Sequence, residues 1–280
     1  MLVSHFFDLV PIWALLVGTI LLMILFIEFG FNLGKRALTN AKKAQTSQVR
    51  AIMGAGLGLL AFMLAFTFST AQSHFEVRVQ SLAEEARIGR NAFLAADLLT
   101  EPARSEAKRL LKDYFKLRSS MVKLRDGKTL EQDLAESLRV SEKIQADLWL
   151  LAVGGSGQLT ENQADSKGNS LFMGSVIALI DIHYTRVHSA VMNRIPLTIW
   201  MTLYLMATLS MIIMGFQAGL TERRSPVATI TLAVAFSAVI ILITDLDRPV
   251  MSFFDINKQL LVDLHEYMET SSRLQYYPGD

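Results

Sequence analysis

Four stretches of this chain are apolar and almost uncharged over lengths suited to crossing a bilayer. A helix needs about 20 apolar residues, each rising roughly 1.5 Å, to span the hydrocarbon layer. Residues 11–31 (PIWALLVGTILLMILFIEFGF) carry no charge until Glu28, and residues 51–73 (AIMGAGLGLLAFMLAFTFSTAQS) carry none. Residues 195–220 open on Pro196, whose missing N–H costs least in a first helical turn. Residues 225–244 stop abruptly at DLDRP. Trp13, Trp200 and Tyr204 lie toward the ends of these stretches, where interfacial aromatics gather. The first stretch lacks the basic leader and small-residue cleavage site of a signal peptide, so it reads as a span. The composition agrees: 51% hydrophobic, 19% charged and a mean hydropathy of +0.34, too apolar for a soluble domain of 280 residues. The expected fold is all-α, an integral membrane protein with four transmembrane helices.

Between the second and third stretches the chain is strongly charged and helical in pattern. Leu82, Ala86, Gly89, Phe93, Ala96 and Leu99 recur at helical spacing, as do Ala107, Leu110, Leu111, Tyr114, Leu117, Met121 and Leu124. A third stripe runs from Leu130 to Leu151. A fourth runs through Phe172, Val176, Leu179, His183 and Val187 toward the third span. GGSGQLTENQADSKGNS (154–170) reads as a flexible loop between them. The expected domains are 1–73 (spans one and two), 74–194 (helical extramembrane bundle), 195–244 (spans three and four) and 245–280 (a C-terminal segment packing on the bundle).

Sidedness follows from charge. The connection over 32–50 holds Lys35, Arg36, Lys42, Lys43 and Arg50 with no acid, and Arg223 and Arg224 lie between spans three and four. The positive-inside rule puts both connections in the cytoplasm and the bundle on the periplasmic or external side.

Little points to catalysis. With no cysteine there is no thiolate metal site or cysteine nucleophile. His183 and His188 miss the i, i+4 spacing of a zinc pair. A glycine repeat, GAGLGLL (54–60), sits inside a span, where it suits close helix packing better than phosphate binding. Glu84, Glu85, Asp97 and Glu101 read as the solvated face of an amphipathic helix rather than an acid/base pair. Asp245, Asp247 and Asp255 are weak Ca²⁺ candidates, lacking the spacing and glycine of a calcium loop. The expectation is a non-enzyme with no cofactor. The net charge of +1 gives no reason to expect a nucleic-acid partner. Asp247, Arg248 and Pro249 are read instead as a structural lock where the fourth span ends. Arg248 would pair there with Glu84 or Glu85, and Leu260, Leu261, Leu264 and Met268 would dock on the bundle.

Several of these segments resemble a known family. FMLAFTF (62–68) has the F-x-x-[small]-F pattern of the second membrane helix of bestrophins, the pentameric anion channels. AFTFSTAQSHFEVR (65–78), EEARIGRNAFLAADLLTEPAR (84–104) and a late LDRP (246–249) are similar to the bacterial bestrophin-like family of unassigned function. DLDRPVMSFFD (245–255) resembles the acidic segment that follows the last bestrophin span. Two departures stand out. Gly58 occupies the place of a third neck ring, and the acids after the last span are sparse. The resemblance implies a cyclic homo-oligomer, a pentamer, passing small inorganic anions through a hydrophobic neck at Phe62 and Phe66. Gly58 and Ala65 would line the pore or let neighbouring helices approach, and Ser69, Thr70 and Ser73 would offer hydroxyls beyond the rings. Membrane lipid, inorganic ions and further copies of the chain are the expected partners. A cation channel of the same architecture and a non-conducting scaffold or sensor are the alternatives.

Overall fold

The computed structural model describes residues 10–37, 43–120, 130–157, 163–192, 194–221, 225–248 and 259–276. Among these residues eight α-helices succeed one another: α1 (Ile12–Ala37), α2 (Lys43–Ala95), α3 (Ala103–Ser120), α4 (Leu130–Gly157), α5 (Gln163–Met192), α6 (Leu197–Thr221), α7 (Pro226–Asp247) and α8 (Gln259–Tyr276). A short 3₁₀ turn, Ala96–Leu98, links α2 to α3. Four of them, α1, α2, α6 and α7, are long and apolar enough to cross a membrane, as the sequence predicts. The chain forms two compact units: Met1–Val77 with Ala190–Phe254, and Arg78–Ser189 with Asp255–Asp280.

In the first unit, α1 and α6 pack backbone to backbone. A Cβ built on Gly30 would overlap the carbonyl oxygen of Ile212, and one on Gly34 that of Phe216. The relation is reciprocal: Gly215 faces the carbonyl oxygen of Ile27, and Gly219 that of Phe31. Two Gly-x-x-x-Gly segments, 30–34 and 215–219, therefore interlock, a close approach that only glycine permits. Around this crossing Met23, Leu60, Leu64, Leu203, Met211 and Ile240 form the core. Trp200 is buried among them instead of facing the interface. Ser237 Oγ on α7 donates to Met23 Sδ on α1 at 3.4 Å, and Ser210 Oγ on α6 donates to the Gly56 carbonyl of α2 at 3.3 Å.

The second unit is a helical bundle. The predicted stripes face its core: Phe93, Leu111, Tyr114, Leu148, Phe172 and Val176 are all buried there, and Phe115, outside any predicted stripe, joins them. Gly89 lies against the Phe115 ring, in space that a methyl group would need. From α8, Leu261, Leu264 and Met268 join the same core, while Leu260 is half exposed. Met121 and Leu124 lie outside the described residues.

Two boundaries differ from the sequence reading. Helix α4 continues to Gly157 and α5 starts at Gln163, so most of the expected loop is helical. At Gly168 the missing side chain permits close packing, since an added Cβ would stand 2.6 Å from the Leu98 carbonyl oxygen. Helix α5 ends at Met192 rather than running into α6, because proline at 196 disfavours helical backbone in the residue before it.

Candidate functional site

The membrane part of α2 has two unlike faces. Leu60, Leu64, Thr67 and Ala71 are buried against the protomer's other spans. Gly54, Gly58, Ala61, Phe62, Ala65, Phe66, Ser69 and Ser73 are exposed. Phe62 is 66% exposed and Phe66 58%, values that rule out a core-filling role for either ring within one chain. Gly54 and Gly58 have no atom within 4 Å of where a Cβ would stand, so their smallness serves no packing inside the protomer. Thr70 Oγ1 donates to the Phe66 carbonyl at 3.1 Å, which commits its hydroxyl hydrogen to the helix backbone. Ser69 and Ser73 lie on the exposed face beyond the rings.

At the end of α7, Asp247 and Arg248 are both buried. Asp247 Oδ1 accepts the backbone N–H of Ile195 at 3.0 Å, just before α6 begins. Arg248 Nη2 donates to the carbonyl of Val10 at 2.7 Å, just before α1 begins. Two consecutive residues thus tie the end of one span to the starts of two others. Pro249 and Asp255 lie outside the described residues. Asp245 is buried two residues before the helix end. Among the described residues no group of three or more His, Asp or Glu converges as a metal site would require.

Glu84 and Glu85, the expected partners of Arg248, are engaged elsewhere. Glu84 is held by Arg87, with Nε at 2.8 Å from Oε2. Glu85, read above as part of a solvated face, is fully buried. Its carboxylate takes a forked pair from Arg118, Nε to Oε1 at 3.0 Å and Nη2 to Oε2 at 3.1 Å. The Tyr114 hydroxyl donates to Oε1 at 2.7 Å, and Arg186 Nε lies 3.2 Å from Oε2. Because Tyr114 gives its hydrogen to Glu85, it accepts from His183 Nδ1 at 3.2 Å, which fixes the neutral ring as the Nδ1–H tautomer. Gln145 Nε2 donates to the same hydroxyl at 3.5 Å.

Electrostatics follow from this geometry. Burial pushes the Glu85 carboxyl up, but Arg118 and Arg186, with hydrogen bonds from Arg118 and Tyr114, outweigh it and hold the group at about 2. Burial first, then Arg186, pushes His183 down to about 4, against the pull of Glu85. Tyr114 is raised by burial and by the Glu85 charge. The sequence offers no local signal for this cluster, whose members come from α2, α3, α4 and α5. Asp97, assigned to the same solvated face, pairs with Lys108. Glu101 is exposed and bonded to Ser105, as a helix-start acid would be.

Together these features define a multi-pass, all-α membrane protein with a helical extramembrane bundle. Residues 21–259 match the bestrophin-like domain, and the chain belongs to that family. Its fold is similar to the crystal structure of a bacterial bestrophin homolog from Klebsiella pneumoniae, with a TM-score of 0.61 at 14% identity over 92% of this chain and 99% of that one. Two crystal structures described as of a membrane protein are also similar, each with a TM-score of 0.60. One shares 15% identity over 92% of this chain and 97% of its own. The other shares 14% identity over 96% of this chain and 98% of its own. No curated protein matches the chain.

Proposed function

We propose that the protein is an oligomeric ion channel in which α2 helices from several copies, five on the bestrophin pattern, surround a pore. Small inorganic anions pass through a neck formed by Phe62 and Phe66. The observation that carries this reading is the exposure of both rings, 66% and 58%, in the middle of a membrane-spanning helix. A four-helix protomer is too narrow to enclose a conduit, so a central pore needs copies arranged around an axis. The open space at Gly54 and Gly58 supports close approach of those copies. No charged side chain occurs between residues 51 and 73, so discrimination in such a neck rests on dehydration cost and on dipoles such as the Ser69 and Ser73 hydroxyls. The basic, acid-free connection over 32–50 supports a bundle on the periplasmic or external side.

Flux from liposomes containing the purified protein tests the proposal. Chloride release that changes in the Phe62→Ala, Phe66→Ala double variant is the expected result. Potassium flux without chloride flux assigns a cation channel to the same architecture. Flux of neither ion, in wild type and double variant alike, sinks the channel reading and leaves a membrane scaffold or sensor.

A further inference from the structure

One stripe of α3 carries four cations at successive helical turns: Arg104, Lys108, Lys112 and Lys116. Like charges spaced i, i+4 destabilise a helix, so the pattern works against folding. All four line one open cavity of about 680 Å³ between α3 and α8, a volume within the range of small-ligand sites. Arg109 and Ser105 line it as well, with Glu101, Asp113, His265 and Glu269. Five cations therefore face three carboxylates.

Not all of this charge is free to act. Lys108 pairs with Asp97, and Arg109 with Glu106 and Asp113. Arg104 Nε donates to the Leu99 carbonyl at 2.9 Å, and Glu101 accepts the Ser105 hydroxyl at 2.7 Å. The ammonium groups of Lys112 and Lys116 have no hydrogen-bond or ion-pair partner among the described residues. On the α8 wall, His265 Nδ1 is buried with no hydrogen-bond partner among the described residues. Two ammonium groups whose backbone positions lie one turn, about 6 Å, apart along the axis can span linked phosphates better than they can share a single small anion. Lysine heads are point charges well suited to phosphate oxygens.

We propose that this groove binds a compact ligand carrying two or more phosphate groups, held chiefly by Lys112 and Lys116 with Arg104 and Lys108 alongside. The chemistry is shared by soluble oligophosphates and by the headgroup of a doubly charged phospholipid. Two arms separate these sources, both using the full chain purified in neutral detergent. The first is calorimetric titration with sodium pyrophosphate. The second is native mass spectrometry after exchange into phosphatidylcholine micelles doped with cardiolipin. The expected result is saturable binding in one arm that resists sulfate at equal ionic strength. It should weaken at least about tenfold in the Lys112→Gln, Lys116→Gln variant, in line with the loss of charge-assisted bonds. Because the two ammonium groups have no partner among the described residues and repel each other along α3, that variant should melt at or slightly above the wild type, which separates lost binding from lost fold. Binding in neither arm, equal binding by the variant, or equal displacement by sulfate overturns the proposal.

Discussion

Arg118 grips Glu85 through two parallel hydrogen bonds, of 3.0 and 3.1 Å, with the carboxylate wholly removed from solvent. Arg186 approaches the same carboxylate from another helix. One buried anion therefore answers for two guanidinium groups. Neutralising it leaves both cations uncompensated in the bundle interior, which costs about 3–5 kcal/mol. Glu85→Gln should lower the melting temperature steeply in detergent. Its sequence neighbour Glu84, in an exposed pair with Arg87, is the internal control. Glu84→Gln should melt nearly as the wild type does, and equal losses at the two positions would contradict the assignment.

Acid should weaken the bundle in two stages. His183 is held at about 4 in the fold against an ordinary 6.5, so between those values unfolding takes up a proton. Stability is then flat above 6.5 and falls as pH drops through the window, by about 3 kcal/mol at most. Glu85, held at about 2 against 4.5, extends the loss below that. Thermal unfolding across a pH series measures both stages. His183→Gln should flatten the upper stage and leave the lower one, and an unchanged profile in that variant would refute the linkage.

The two sets of glycines in the spans should respond oppositely to a single methyl group. Gly30→Ala or Gly215→Ala forces a Cβ onto a backbone carbonyl of the partner helix, an overpacking worth about 1–3 kcal/mol. Gly58→Ala meets empty space in the protomer and improves helix propensity, so monomer stability should hold or rise slightly. Melting curves in a detergent that keeps the chain monomeric make the comparison. Equal destabilisation at Gly30 and Gly58 would count against the interlocked crossing.

Much of this architecture is legible before any coordinates. The four spans are written in uncharged length, because hydrocarbon tolerates no other composition, and the bundle's stripes are written in 3.6-residue spacing. What stayed hidden depends on contacts distant in sequence. Glu85 looks solvated beside Glu84 and Arg87, and only the fold brings Arg118, 33 residues on, to its carboxylate. The glycines at 54–58 stand out in the sequence as a compact repeat, whereas the pair that interlocks, 30–34 with 215–219, becomes meaningful only when two remote helices cross. The partners of Asp247 and Arg248, at Ile195 and Val10, are backbone groups, which no side-chain pattern announces.

Sidedness has a direct test, since the chain contains no cysteine to confuse it. Gly154 on α4 is exposed, with nothing within 4 Å of an added side chain. On intact cells, Gly154→Cys should react with a membrane-impermeant maleimide. Labelling only after lysis would put the bundle in the cytoplasm.

The crossing of α1 and α6 also bears on movement. Helices that touch through carbonyl and α-carbon have no side-chain layer to slide on, and their ridges key into each other twice, a turn apart. The pair is a strut that can tilt as one body but cannot shear. In the proposed channel, any change in the width of the neck must then come from α2 itself, where nothing in the protomer packs on the outer side of Gly54 and Gly58, or from α7, joined to α1 by a soft hydroxyl–thioether contact. If the proposed pore conducts, variants that alter its gating should accordingly cluster on α2 and α7, and a crosslink between α1 and α6 should leave its flux intact.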